Sequence, residues 1–109
     1  MKRILLLTTG GTIASVETKR GLAPAPTSEP LRRLLDELAL PCEVTVHSLF
    51  HIDSTNFQPE HWLEIARAIR AAYGEYDGFV ITHGTDTMEE TAYFLQLTTA
   101  CKKPVVLVG

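Results

Sequence analysis

With 109 residues, 45% of them apolar, the chain is long enough for one compact domain with a real core and too short for two. A net charge of −3, with no basic cluster larger than a pair, argues against nucleic-acid binding. No segment approaches the roughly 20 apolar residues of a membrane span, so we expect no membrane contact either.

The first predicted strand covers residues 3–9 and contains a continuous apolar run, as in strands that are buried on both faces. The run is too short for a signal peptide, and no cleavage site follows it. The turn behind it, Gly10-Gly11-Thr12, allows close approach of a ligand because neither glycine has a Cβ. It lacks the sequence of a phosphate loop. It is either a tight turn or a site in which Thr12 acts as a nucleophile.

Residues 15–27 combine Gly21, Pro24 and Pro26 with few large apolar side chains, which predicts an exposed and mobile loop. Such a loop is either a lid over a site or a disordered connector. The first helix is predicted to begin near Ser28. Its buried stripe is predicted from leucines at helical spacing, namely Leu31, Leu34, Leu35 and Leu38.

A second strand is predicted at residues 42–50, where β-branched side chains are frequent. The turn after it contains Asp53, Ser54 and Thr55, whose short side chains form hydrogen bonds readily. Taken alone, it is an ordinary turn. As one of three polar turns on the same edge of a parallel sheet, it becomes a candidate binding segment.

Pro59 opens the second predicted helix. One face of that helix is apolar and comprises Trp62, Ile65, Ala66, Ile69 and Tyr73. Gly74 is expected to cap its end, and a third strand follows at residues 78–81.

The turn after the third strand is the stronger candidate site. It places Gly84, Thr85 and Asp86 between a strand end and a helix start, where free backbone N–H groups favour anions. Asp86 either faces a ligand or caps the helix. The two roles are compatible, because Thr87 can serve as the cap.

The third helix, beginning at Asp86 or Thr87, is expected to pack through its apolar residues, and a fourth buried strand follows at residues 105–108. The predicted helix contacts are Ala92, Tyr93, Phe94, Leu95 and Thr99. The order β-α-β-α-β-α-β predicts an α/β fold with a parallel sheet and flanking helices, a three-layer arrangement of the flavodoxin or Rossmann type. Because the sequence stops directly after a core strand, we expect residues 1–109 to be the incomplete N-terminal part of a longer domain.

Histidines and cysteines give little support for metal chemistry. The four histidines lack ligand spacing, so we expect no metal and no other cofactor; only His83 lies in a candidate site, where a structural role is at least as plausible. Cys42 and Cys101 are far apart and fit two buried small side chains in a reducing cytoplasm.

Three segments together, TGGTIA at 9–14, DSTN at 53–56 and HGTDTME at 83–89, closely resemble the bacterial L-asparaginase (asparaginase/glutaminase) family. The order and spacing agree over the whole chain. The resemblance implies an amidohydrolase that converts L-asparagine to L-aspartate and ammonia, with L-glutamine as an alternative substrate. It also implies a second domain and a homo-oligomer in the full-length form.

The resemblance implies catalytic roles for three residues. Thr12 matches the family's nucleophile, which forms an acyl-enzyme with the amide carbonyl. Thr85 and Asp86 match a Thr–Asp–Lys relay, in which Asp86 also binds the α-ammonium group of the substrate. The substrate-binding positions implied in the same way are Gly11, Asp53, Ser54, Thr55, Gly84, Thr85 and Asp86.

The sequence also departs from the family pattern. The relay lysine lies beyond Gly109 in the family, so we expect the 109-residue chain alone to be inactive. The family's lid commonly carries a tyrosine, and residues 15–27 contain none. Some periplasmic members pair a cysteine like Cys101 with one at the position of Tyr73, which favours the cytoplasmic type here.

Two other hypotheses remain open. The chain is alternatively a non-catalytic folding or ligand-binding fragment, whose exposed last strand would favour self-pairing. It is also compatible with a subunit of an archaeal tRNA-dependent amidotransferase, although no basic RNA-binding surface is visible in the sequence.

Overall fold

A computed structural model of the chain describes residues 1–10, 15–18, 21–24, 29–52, 54–98 and 102–109. The elements in chain order are β1 (Lys2–Thr8), β2 (Ser15–Thr18), β3 (Gly21–Pro24), α1 (Glu29–Leu38), β4 (Cys42–Ser48), a 3-10 turn (Ser54–Asn56), α2 (Pro59–Ala72), β5 (Gly78–Thr82), α3 (Met88–Thr98) and β6 (Val105–Val108). The predicted strands and helices are all present, with ends shifted by one or two residues. Helix α2 begins at Pro59, as predicted.

Four strands form one parallel sheet in the order β4-β1-β5-β6. From β1 the chain crosses to β4 on one side, and from β5 it crosses to β6 on the other. Helices α2 and α3 pack on one face of the sheet, and α1 lies beside Val44 and Val46 on the opposite face. The predicted parallel α/β fold with flanking helices is confirmed.

The hydrophobic core lies between the sheet and helices α2 and α3. Its buried members are Leu5, Leu7, Ile65, Ala66, Ile69, Phe79, Ile81 and Leu95. Burying one such large side chain contributes about 1.5–3 kcal/mol relative to exposure. The apolar face predicted for α2 is therefore confirmed, and it anchors the strand that leads to the stronger candidate turn.

Helix α1 is less buried than its leucine stripe predicts. Leu31 and Leu35 are half-buried, but Leu34 and Leu38 are 52% and 57% exposed. The helix lies over the edge strand β4, where Arg32 donates a hydrogen bond of 2.6 Å from Nη2 to the carbonyl of Val46. An edge strand offers too little surface to cover the whole stripe, so the prediction was wrong for Leu34 and Leu38.

Residues 15–27, predicted to be a loop, contain two strands where the structure describes them. Strands β2 and β3 pair antiparallel, with Thr18 opposite Gly21 and Ser15 opposite Pro24. Two residues connect the strands, which is the commonest hairpin length. Pro24 is tolerated because it ends its strand, where a ladder N–H is not required.

Two further expectations need correction near the chain's end. Tyr93, at 67% exposure, and Ala92 are both exposed, because the buried residues of α3 are Thr91 and Leu95. Strand β6 is an edge strand, and Val106 is 50% exposed, so the fourth strand is only half-buried. Thr99 lies outside the described residues.

The end of α2 also differs from the prediction of a glycine cap. Its C-cap is Tyr73, in the right-handed helical conformation, and Gly74 does not take a positive φ. The ammonium group of Lys103 donates to the carbonyls of Tyr73 and Tyr76. Those contacts satisfy a carbonyl at the helix end that a left-handed glycine would otherwise help to satisfy.

Candidate functional site

The carboxyl ends of the central strands lie level with each other. Thr8 at the end of β1 is in register with Ser48 of β4 and with Thr82 of β5, and Thr82 is in register with Val108 of β6. The three polar turns therefore start at one edge of the sheet, as predicted. Because the connections from β1 and β5 run in opposite directions, the carboxyl ends of these two strands form the switch point, where ligand crevices lie in open α/β sheets.

The turn after β1 is held by backbone contacts. Thr9 is fully buried and donates from Oγ1 to the carbonyl of Thr82 at 2.6 Å, and its own carbonyl accepts from the N–H of Ile52 at 3.0 Å. These bonds fix the turn to the end of β5 on one side. On the other side they fix it to the segment that leads into residues 53–56.

Gly10 is essential to that arrangement. Its φ is +118°, a conformation that side-chain-bearing residues rarely adopt. A Cβ at this position would also overlap the carbonyl oxygen of Ile52. The glycine thus allows the backbone at the end of β1 to pass directly against Ile52.

The turn after β5 is held by a buried side-chain network. Trp62 donates from Nε1 to the hydroxyl oxygen of Thr91 at 2.7 Å, and that oxygen lies 2.7 Å from Nε2 of His83. Nδ1 of His83 lies 2.6 Å from the carbonyl of Gly84, which only an N–H can approach so closely. Nδ1 of His83 therefore carries a proton, and in the neutral imidazole Nε2 accepts the hydroxyl proton of Thr91.

Burial keeps His83 neutral. The imidazole has no exposed surface, and desolvation lowers its pKa below the ordinary value, although the hydrogen bond to Gly84 opposes that shift. The network connects α2, α3 and β5 through Trp62, Thr91 and His83. It holds the carbonyl of Gly84 at the start of the turn, so the backbone leading to Thr85 has a fixed direction.

Thr85 and Asp86 are the accessible groups of this turn. Both are exposed, Gly84 is half-buried, and Thr87 directly precedes α3. Thr85 and Asp86 therefore lie as exposed residues after the carboxyl end of β5. Which of Asp86 and Thr87 caps α3 stays a prediction.

The third turn docks onto the second through an aromatic contact. Residues Ser54–Asn56 form a short 3-10 turn in which Thr55 is exposed. Phe57, directly after it, packs against His83 with ring centroids 4.6 Å apart. The predicted binding segment therefore lies close to the turn of Thr85 and Asp86.

The structure brings part of the predicted site together. Gly84, Thr85, Asp86 and Thr55 lie on turns at the carboxyl edge, and the backbone of Ser54 belongs to the 3-10 turn. Gly11, Thr12 and Asp53 lie outside the described residues. The convergence of Thr12 with Thr85 and Asp86 stays a prediction.

Several supporting residues were not identified as such from the sequence. His83 and Thr91 occur in the second motif, but nothing in the sequence shows that they bind each other and Trp62. Among the described residues, no group of three His, Cys, Asp or Glu side chains is placed to hold a metal ion. Within the same residues, no helix has the length and apolar character needed to cross a membrane.

Residues 3–109 match the family described as Asparaginase, N-terminal. The chain belongs to the asparaginase family. It is similar to the probable periplasmic L-asparaginase of Haemophilus influenzae, with 44% identity over 113 residues that cover 100% of this chain and 32% of that protein. A glutamyl-tRNA(Gln) amidotransferase component from Archaeoglobus fulgidus is 40% identical over 97% of this chain and 26% of its own length.

A solved structure agrees with this assignment. The probable cytoplasmic L-asparaginase of Campylobacter jejuni superposes on this asparaginase-family chain with a TM-score of 0.85 and 42% identity, covering 100% of this chain and 32% of that one. The chain spans about a third of the length of the L-asparaginases it matches. The fold and the family recognised from the three motifs are thus confirmed.

Proposed function

We propose that this chain supplies the catalytic and substrate-binding turns of an L-asparaginase, which hydrolyses L-asparagine to L-aspartate and ammonia. Family membership and relatives named L-asparaginase support the reaction. The observation that carries the site is the exposure of Thr85 and Asp86 beside the crevice between β1 and β5. A hydroxyl and a carboxylate there match the needs of a small zwitterionic amide.

Binding in this proposal rests on charge. The carboxylate of Asp86 binds the α-ammonium group of the substrate, and the hydroxyl group of Ser54, flanked in sequence by Asp53 and Thr55, donates to its α-carboxylate. Charge-assisted hydrogen bonds are stronger and shorter than neutral ones, so two of them fix the orientation of an amino acid. The proposal requires the side-chain amide of the substrate to lie against the hydroxyl of Thr12.

The reaction in this proposal is acyl transfer. The hydroxyl oxygen of Thr12 attacks the side-chain amide carbon, the carbon–nitrogen bond breaks, and ammonia leaves with the proton that Thr12 gives up. Water then cleaves the acyl-enzyme and restores the hydroxyl. An alcohol needs help to lose its proton at neutral pH, and Thr85 with Asp86 provides the start of a proton relay. No cofactor takes part.

Ammonia release tests the proposal. The full-length protein is assayed with L-asparagine and with L-glutamine, beside Thr12→Ala, Thr85→Ala and Asp86→Asn variants. We expect the two alanine variants to lose activity. Asp86→Asn is expected both to lower kcat and to raise KM, because it removes the carboxylate of the relay and the contact with the substrate ammonium. Thr45→Ala on β4 and Asp36→Asn on α1 are matched controls, because both residues are exposed and lie away from the turns. Full activity in both alanine variants would reject the catalytic assignment.

A second candidate function is ammonia supply to a tRNA-linked amidation. The Archaeoglobus relative at 40% identity supports it, whereas the net charge of −3 gives no electrostatic support for an RNA surface. The same assay separates the two functions. Hydrolysis of free L-asparagine without a partner favours the asparaginase, and ammonia release only in the presence of glutamyl-tRNA and partner subunits favours the amidotransferase.

Location and assembly belong to the same proposal. The absence of a cysteine at Tyr73 supports a cytoplasmic enzyme, although relatives of similar identity carry both cytoplasmic and periplasmic names. A homo-oligomer is proposed for the full-length protein, and the isolated 109 residues are proposed to be inactive. Sedimentation of both forms, with calorimetry against L-aspartate, distinguishes an inert fragment from one that still binds ligand.

A further inference from the structure

The end of β6 lies against the turn that carries Thr85. The N–H of His83 donates to the carbonyl of Val108 at 2.9 Å, and this bond fixes the position of the end of β6 relative to the turn. Gly109 follows directly. A Cβ built on Gly109 would lie 2.6 Å from Cγ2 of Thr85 and 2.8 Å from Cε of Met88. Separations below 3.0 Å are essentially never seen for a real Cβ.

The two neighbours would respond differently to such a Cβ. Cε of Met88 is the far end of a flexible, unbranched side chain and shifts at little cost. Thr85 is β-branched, so its methyl and hydroxyl groups are bonded to the same carbon. The methyl group can leave its place only by rotation about χ1 or by movement of the turn. Either change carries the hydroxyl with it.

We propose that Gly109 is a positioning residue for Thr85: the missing side chain at the end of β6 selects the rotamer that directs the Thr85 hydroxyl into the site. The inference rests on the proposed role of Thr85 in amide hydrolysis. It adds that a residue without a functional group of its own sets the direction of a catalytic hydroxyl. Gly109 was not among the residues selected from the motifs, because the approach of β6 to Thr85 is visible only in the fold.

A double-mutant cycle in the full-length protein tests the inference. Gly109→Ala is expected to lower kcat for L-asparagine by about 10- to 100-fold, the range that a misplaced reacting group can produce. Thr85→Ser keeps the hydroxyl and lacks the methyl group. In the Thr85→Ser background, Gly109→Ala is therefore expected to change kcat by less than about threefold. Gly74→Ala is the matched control, since no atom of the described residues lies within 4 Å of its Cβ position.

An independent measurement reports the rotamer itself. Three-bond NMR couplings to the Thr85 methyl group give χ1 in the wild type and in Gly109→Ala, whether or not the protein hydrolyses asparagine. If the wild type releases no ammonia but χ1 changes, the proposed function fails and the steric inference stands. An unchanged χ1 overturns the inference. So does a loss of kcat in the Thr85→Ser background equal to that in the wild type, or a Gly109→Ala protein that fails to fold in both backgrounds.

Discussion

The turns after β1 and β5 resemble each other in sequence and position but are held in different ways. The first is fixed chiefly by its main chain, through the bond to Ile52 and the close approach of Gly10 to that residue, with one further bond from the hydroxyl of Thr9 to the carbonyl of Thr82. The second is fixed by side chains, with His83 bound to Thr91 and to the carbonyl of Gly84. A turn held by its backbone is sensitive to added volume, whereas a turn held by side chains is sensitive to lost hydrogen bonds and to protonation.

The difference indicates a division of roles. The first turn has little freedom to adjust, which suits the residue proposed to attack the substrate, since attack requires a fixed distance. The second turn depends on a polar network, in which each member restrains the next. Substitutions in the two turns test this division of roles, and the largest effect is expected at Gly10.

Gly10→Ala is expected to cause the largest change. The positive φ alone costs an alanine about 1–3 kcal/mol, and the overlap of the new Cβ with backbone atoms of Ile52 adds to it. Urea unfolding measures the loss. Gly74→Ala is the control, with an expected change within about 0.5 kcal/mol because the site is open. Equal stabilities of the two variants would show that the first turn is not held by close packing.

Thr91→Val is expected to destabilise the protein by about 1–3 kcal/mol, because it leaves Nε1 of Trp62 and Nε2 of His83 buried without a partner. The volume hardly changes, so the loss reports on hydrogen bonding rather than on packing. Thr91→Ser keeps the hydroxyl and should retain the network. A Thr91→Val protein as stable as the wild type would contradict the view that side chains hold the second turn.

Phe57→Leu is expected to have a smaller effect. It removes the aromatic contacts with His83 and Phe50, which are worth about 0.5–1.5 kcal/mol beyond their buried area. The His83 ring signals in NMR should shift, since an aromatic ring leaves its neighbourhood. Tyr93→Leu serves as a control, because that ring is 67% exposed. If the His83 signals do not shift in Phe57→Leu, the third turn does not pack on the second through Phe57.

Acid is expected to weaken only the second turn. Burial lowers the pKa of His83, so below its ordinary value of 6.5 the unfolded chain binds a proton that the folded chain does not. The free energy of unfolding should therefore fall as the pH drops below 6.5, until the folded pKa is passed. His83→Gln should remove that slope in urea titrations between about pH 5 and pH 8. If the free energy of unfolding still falls with pH in His83→Gln, another group causes that dependence.

Asp77 is expected to affect stability in a lower pH range than His83. Its pKa is lowered, chiefly by the backbone N–H of Arg3, which donates to the carboxylate at 2.7 Å. Stability from this contact is present above the ordinary carboxyl value of 3.8 and is lost as the pH falls through the lower folded pKa. Asp77→Asn should therefore lower the free energy of unfolding by a constant amount above pH 3.8 and change its pH dependence only at lower pH, below the window of His83.

Local patterns were sufficient for most of the fold. The run of Leu5 to Leu7 and the helical spacing of Ile65 and Ile69 predicted buried elements, and the structure buries all of them. Sequence patterns failed where burial depends on how much sheet surface is available to cover a helix. Leu38 has the right spacing but lies on a helix over an edge strand, and the pairing of β2 with β3 depends on a partner strand that composition does not reveal.

The reactive groups of the candidate site could be predicted from the sequence, but the contacts that position them could not. A threonine or aspartate at the end of a parallel strand can be recognised from sequence, because the fold places every such end on one edge. The contacts between Gly10 and Ile52, and between Gly109 and Thr85, join residues that are far apart in the chain. The order and register of the strands bring these residues together in space, and a local sequence pattern contains neither.

Trp62 is the only tryptophan among the 109 residues, and its indole N–H is bonded into the network behind the turn of Thr85. Indole emission is sensitive to hydrogen bonding at that nitrogen. The protein therefore carries a built-in optical probe next to its candidate site, which responds to protonation of His83 or to displacement of α3 without any added label.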